Sequence, residues 1–155
     1  MADVPPVSGV AEIVLSVADL PAMREFYSQV LGFPVHSEAS MEGEQHDPDG
    51  DATITFLTIQ NLDSPLGRLH PQMLVLIDYR RHVFAKTRLI GHDVQRSTLN
   101  HLAFEIPSDS YSDHFERLNR LNLEPVEAEF PALNARAMFF KDPEGNQLEF
   151  ICSTN

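Results

Sequence analysis

The sequence predicts an α+β fold made of two tandem βαβββ modules. A β-branched apolar segment near the start of the chain is followed directly by a helical stripe, and the same order returns after residue 100. An offset of 89 positions superimposes the two copies through strand and helix. The superimposed pairs are Glu12 with His101, Asp19 with Ser108, and Phe26 with Phe115. A repeat of this kind indicates the internal duplication of one structural unit.

The first module begins with a strand over residues 11–17. Asp19 is a suitable N-cap for the helix that follows, and Pro21 fits the first helical turn because its missing N–H costs nothing there. Gly32 can adopt the positive φ that ends a helix. Further strands are predicted at 34–37, 52–59 and 73–77, with loops at 41–51 and 61–71.

The second module repeats this order, with a strand over residues 101–106 and a helix for which Ser108 is the expected N-cap. Its remaining strands are predicted at 126–129, 135–140 and 147–152, and the turn Asp-Pro-Glu-Gly-Asn at 142–146 joins the last two. We interpret residues 1–155 as a single domain, with modules at 8–79 and 99–155 and a linker at 80–98.

The composition excludes several classes of partner. A formal net charge of −12 repels phosphate backbones and anionic lipids, so neither nucleic acid nor a membrane is an expected partner. Cys152 is the only cysteine, which excludes an intramolecular disulfide and thiolate-rich metal sites. The sequence shows neither a secretory signal nor an apolar run of about 20 residues, so we expect a cytoplasmic protein.

Two polar residues interrupt the strand patterns of the second module. His101 opens one apolar alternating run, and Glu149 lies inside the last one. Burial of such groups is costly unless something binds them, and a divalent metal would do so. The other histidines carry weaker signals: His82, His92 and His114 are expected at the surface, whereas His46 and His70 lie in loops where a role in proton transfer is an option.

Five segments of the chain carry a resemblance to a known family. They are EIVLSVADL from Glu12, FY and LGF from Phe26 and Leu31, NHLAF from Asn100, and FKDPEGNQLEF from Phe140. Together they resemble the vicinal oxygen chelate superfamily, which includes glyoxalase I, fosfomycin-resistance enzymes, extradiol dioxygenases and bleomycin-binding proteins. The resemblance implies that the two modules form curled mixed sheets around a cup-shaped site.

The same resemblance implies a set of metal ligands. The family positions fall on Glu12, His101 and Glu149, and the fourth falls near Leu74, which cannot bind a metal. Gln72 would supply that ligand if the register shifts by two residues. One imidazole and two carboxylates suit a divalent ion such as Fe, Mn, Zn, Ni or Mg, with positions left open for substrate oxygens.

The function implied is that of a metal-dependent enzyme, a homodimer, that binds a small organic substrate through adjacent oxygens. Dioxygenase, lyase or isomerase, and transferase chemistry all fit, with His46 or His70 as candidates for proton transfer. The alternative is a metal-free protein of the same fold that sequesters a small molecule, as bleomycin-resistance proteins do. In that case Glu12 is a rim carboxylate and His101 a hydrogen-bonded histidine.

Overall fold

The computed structural model describes residues 10–42, 49–60, 72–83, 85 and 99–154. The chain divides into two compact units, Met1–His92 and Asp93–Asn155. Each unit contains one four-stranded mixed sheet with a helical connection after its first strand. The predicted pair of βαβββ modules is confirmed.

The first unit follows the predicted order of elements. Its elements are β1 (Glu12–Val17), α1 (Leu20–Glu25), a π-helical segment (Phe26–Val30), β2 (Val35–Ala39), β3 (Ile54–Gln60) and β4 (Gln72–Asp78). The strands lie in the order β1-β4-β3-β2. Strands β1 and β4 are parallel, and the other neighbours are antiparallel.

Local sequence signals explain both ends of the first helix. Asp19 Oδ1 accepts a hydrogen bond from the Ala22 amide at 3.0 Å, as an N-cap should. At the other end Gly32 has φ of 78°, and the Phe33 amide reaches back to the Tyr27 carbonyl at 3.0 Å. Because the helix ends in the π-helical segment Phe26–Val30, this bond spans six positions, one more than in the usual closing motif with a left-handed glycine.

The core of the first unit lies between its helix and one face of its sheet. Arg24 of α1 donates a hydrogen bond to Glu38 of β2, and Thr55 of β3 donates to the same carboxylate. Glu38 and Thr55 therefore lie on the side of the sheet that faces the helix. Cross-strand partners share a face, which places Leu76 and Leu15 on that side as well. The buried helix residues that cover this face are Leu20, Met23, Phe26 and Tyr27.

The second unit has the same topology. Its elements are β5 (Leu102–Glu105), a 3₁₀ turn (Ser108–Ser110), α2 (Tyr111–Arg120), β6 (Val126–Phe130), a second 3₁₀ turn (Pro131–Leu133), β7 (Ala135–Lys141) and β8 (Gln147–Ser153). The order β5-β8-β7-β6, with β5 and β8 parallel, reproduces that of the first sheet.

The entry to α2 differs from the sequence prediction. Ser108 is not the N-cap: it opens a 3₁₀ turn whose N-cap is Pro107, and α2 begins at Tyr111. This turn shifts the helix relative to the strand. Leu20 and Tyr27 in the first unit therefore match the buried Tyr111 and Leu118 at an offset of 91. Phe115 is only half-buried, whereas Phe26 is buried, so the two are not matching core positions.

The turn between β7 and β8 is built around a buried carboxylate. Asp142 Oδ1 accepts from the amides of Glu144 and Asn146 at 3.0 and 2.9 Å, and Oδ2 accepts from Asn146 Nδ2 at 2.7 Å. Gly145 supplies the positive φ of 86° that the reversal requires. The turn thereby fixes which residues of β7 and β8 face each other.

Candidate metal centre

Alternation along β8 separates its side chains into two faces. Phe150 packs against His114 of α2, with ring centroids 4.9 Å apart, so Phe150 faces the helix. Its neighbour Glu149 therefore lies on the opposite face, directly across from Phe139 of β7. Only 6% of the Glu149 side chain is exposed, which is unusual for a carboxylate and calls for a partner.

His101 is that partner. It lies one residue before β5, the strand parallel to β8, and its Nε2 is 3.0 Å from Glu149 Oε2. The Nδ1 atom on the other side of the ring is 2.6 Å from Asn100 Oδ1. The Phe139 ring meets the imidazole edge-on, with centroids 5.8 Å apart. The imidazole is thus held at both nitrogens and along one side.

The geometry of the pair fits two ligands of one metal ion. Metal–nitrogen and metal–oxygen bonds of about 2.1 Å that meet at a right angle place the two donor atoms about 3.0 Å apart. The Nε2–Oε2 distance is 3.0 Å. Without a metal the same distance makes a charge-assisted hydrogen bond, so the pair is satisfied in either state.

Glu12 lies at the start of β1, in the other unit. It is exposed and pairs in register with Met73. Because Ile13 and Leu15 alternate with it, Glu12 lies on the face of its sheet that does not carry the helix. Within the ranges that the structure describes, no three His, Cys, Asp or Glu side chains form a group that would hold a metal ion. His101 and Glu149 are the two predicted ligands that the structure brings together.

The sequence model of a protein family, the Glyoxalase/Bleomycin resistance protein/Dioxygenase superfamily, matches residues 9–150. The chain belongs to this superfamily. A comparison with proteins of curated function gives no significant match.

Solved structures of superfamily proteins resemble the chain along nearly its whole length. FosX, a fosfomycin resistance protein of Listeria monocytogenes, was crystallised with Mn(II) and 1S,2S-dihydroxypropylphosphonic acid; it is 19% identical, with 96% of this chain and 94% of that chain covered and a TM-score of 0.63. Lactoylglutathione lyase of Agrobacterium tumefaciens is 19% identical, with 96% of each chain covered and a TM-score of 0.58. A Nocardioides member is 19% identical, with 98% and 87% covered and a TM-score of 0.63. At these identities the likeness shows the fold alone.

The strand register corrects the predicted fourth ligand position. Ile13 pairs with Leu74 in the first unit, and its equivalent Leu102 pairs with Leu148 in the second. Val75, rather than Leu74, is therefore the counterpart of Glu149. Gln72 shares the helix-facing side with Leu74, and its Nε2 is 3.4 Å from the Val10 carbonyl. Gln72 therefore does not lie at the fourth ligand position, and the suggestion that it supplies this ligand is wrong. Valine is apolar, so this position offers no metal ligand.

The remaining histidines have varied environments. His46 and His70 lie outside the described residues. His82 is buried, against the expectation of a surface residue, and burial lowers its pKa while Asp78 opposes that effect. His114, on α2, is half-buried, and burial and then Arg117 lower its pKa. Asn100 is a further residue of this site that the sequence did not predict. It belongs to the NHLAF segment, and its position next to His101 is the one sequence signal for it.

A separate polar cavity of about 680 Å³ lies on the helix-facing side of the first unit. Arg24 and Glu38 form an ion pair at its wall at 2.7 Å, and Thr55 donates to the same carboxylate at 2.9 Å. The equivalent strand position in the second unit is Glu127, which accepts from Tyr111 at 3.0 Å. In both units a glutamate on the second strand ties the helix to the sheet.

The described part of the chain contains no helix that is long and apolar enough to cross a membrane.

Proposed function

We propose that this chain is a divalent-metal-dependent enzyme that binds a small organic substrate through adjacent oxygens, with His101, Glu149 and Glu12 as the metal ligands. The observation that carries the proposal is the buried Glu149 carboxylate held 3.0 Å from His101 Nε2. A pair with this spacing suits two adjacent positions in the coordination shell of one ion. Glu12, from the matching position of the first module, is the proposed third ligand.

The chemistry follows from the donor set. A bound divalent ion would act as a Lewis acid on the oxygens of the substrate and leave positions open for them. Glu149 supplies a fixed negative charge from a buried position, where its electrostatic effect is stronger than in water. The Phe139 ring beside the pair offers an apolar contact for the body of the substrate. Proton transfer by His46 or His70 is part of the proposal.

The Mn(II)-containing FosX structure is consistent with this proposal, because it concerns a protein of the same fold. The class of reaction stays open among ring-cleaving oxygenation, lyase or isomerase chemistry, and group addition. We further propose that the active form is a cytoplasmic homodimer.

Metal titration tests the proposal. Chelator-stripped protein is titrated calorimetrically with Mn²⁺, Fe²⁺, Zn²⁺, Ni²⁺ and Mg²⁺, alongside His101→Ala, Glu149→Gln and Glu12→Gln. Each substitution should weaken binding by at least about 100-fold, more than the loss typical of a group that only supports a ligand.

Two variants serve as matched controls. His36→Ala removes an exposed histidine of β2, and Glu129→Gln removes an exposed carboxylate of β6 in the same sheet as Glu149. Both should bind metal like the parent. If the parent binds none of the five ions, or if His101→Ala binds as tightly as the parent, the metalloenzyme proposal fails and a metal-free binding protein replaces it.

A further inference from the structure

We propose that Asn100 is a positioning residue, which holds the His101 ring so that Nε2 is directed at Glu149 and at any ion shared with it. The inference rests on the proposed function and adds a residue to it. Its basis is the 2.6 Å contact between Asn100 Oδ1 and His101 Nδ1. With Oδ1 as the atom that faces the ring, Nδ1 donates to Asn100, because a carbonyl oxygen only accepts. A metal ion would then take the place of the proton that Nε2 donates to Glu149.

The two oxygens that flank His101 select one orientation of its ring. A half-turn about the Cβ–Cγ bond would replace Nδ1 by Cδ2 and Nε2 by Cε1. In the flipped ring a carbon atom would face Asn100 Oδ1 on one side and Glu149 Oε2 on the other. Glu149 alone also favours the observed orientation in the absence of a metal. A bound ion would itself favour the orientation that presents Nε2, and Asn100 would hold the ring in that orientation once Nε2 no longer donates to Glu149.

The location of His101 makes such a contact necessary. It lies just before β5 rather than inside it, and 35% of its side chain is exposed. The ring of Phe139 also packs against the imidazole, but this contact does not distinguish nitrogen from carbon. Metal-binding histidines generally donate their second ring N–H to an acceptor, and the loss of that acceptor typically costs 10–100-fold in affinity.

Three variants test this role. Asn100→Leu removes the acceptor at nearly constant volume, Asn100→Asp restores an oxygen at the same position, and Asn119→Leu is a matched control at an exposed asparagine of α2. Mn²⁺ and Zn²⁺ affinities are measured by calorimetry, and the unfolding midpoint of each chelator-stripped variant is recorded in urea. We expect a loss of about tenfold in Asn100→Leu, parental or tighter binding in Asn100→Asp, and parental binding in Asn119→Leu.

A spectroscopic readout separates the hydrogen bond from the charge that aspartate adds. In Zn²⁺-loaded protein with ¹⁵N-labelled histidine, the His101 Nδ1–H proton should be observed in the parent and in Asn100→Asp, and lost to solvent exchange in Asn100→Leu. Affinity within twofold of the parent in Asn100→Leu, or failure of Asn100→Asp to restore the proton signal, overturns the inference.

The test also distinguishes the failure of this inference from that of the proposed function. If the parent binds no metal, the proposed function fails, and the proton is followed in the chelator-stripped protein instead. Its loss in Asn100→Leu alone then supports the positioning role, whereas its presence in all variants overturns it. If the parent binds metal and the variants do not differ, the positioning role fails and the proposed function stands.

Discussion

Replacement of Asp142 by alanine should destabilise the protein by about 3 kcal/mol. Asp142 is 5% exposed, and its carboxylate accepts hydrogen bonds from Glu144 N, Asn146 N and Asn146 Nδ2 at 3.0, 2.9 and 2.7 Å. Hydrogen bonds to charged groups contribute about 1.5–3 kcal/mol each. Because Glu144 is exposed and Asn146 half-exposed, water can reach the freed donors, and about 1 kcal/mol per bond is the appropriate figure.

Urea unfolding measures this loss. With an m-value of about 1.5–2 kcal/mol/M, the midpoint of Asp142→Ala should fall by about 1.5–2 M. Asp142→Asn is the matched control, because its carbonyl oxygen still accepts from the two backbone amides while its NH₂ group opposes that of Asn146. It should lose about 1 kcal/mol. A loss below about 1 kcal/mol in Asp142→Ala, at unchanged m-value, would refute the view that this carboxylate organises the turn.

Three other outcomes are expected. Burial, and then the hydrogen bond to Glu127, raises the pKa of Tyr111 from 10.0 to about 12, so its contribution to stability is complete below pH 10 and is lost as pH rises towards 12. Two units correspond to about 3 kcal/mol, and Tyr111→Phe should flatten the fall in stability measured by urea unfolding between pH 9 and 11.5. Phe26→Ala should cost about 3–5 kcal/mol and Phe115→Ala no more than about 2, since Phe115 is only half-buried; equal losses would argue against the shifted helix alignment. Sedimentation at micromolar concentration should give about twice the 17.4 kDa chain mass, and a monomer mass would exclude the proposed homodimer.

The strands and their succession along the chain were predictable because alternation and β-branched residues are strong local signals. The offset of 89 positions between the two modules holds in the first strand of each unit, where the matching residues Leu15 and Phe104 are both buried. It fails in the helix because Ser108 and Ser110 are both suitable caps, and nothing local indicates that the chain makes a 3₁₀ turn between them. Tertiary packing of Tyr111 and Leu118 decides where the helix begins.

The residues of the proposed metal centre were also predictable only in part. His101 and Glu149 were predictable because each breaks an apolar strand pattern. The sequence could not show that Val75, rather than Leu74, is the counterpart of Glu149. A sequence pattern locates a strand, but it does not fix the residue-by-residue pairing with the neighbouring strand. The burial of His82 was also missed: its neighbours in sequence are basic, but its amide bonds to the Asp78 carbonyl at the end of β4 and draws it inward.

The two-faced character of β8 limits how this part of the chain can change during evolution. Removal of one residue from the turn at 142–146 would advance β8 by one position against β7. Glu149 would then point into the apolar layer beneath α2, and Leu148 or Phe150 would take its place beside His101. Insertions and deletions of a single residue are therefore excluded in this turn, whereas a change of two residues would keep every side chain on its own face.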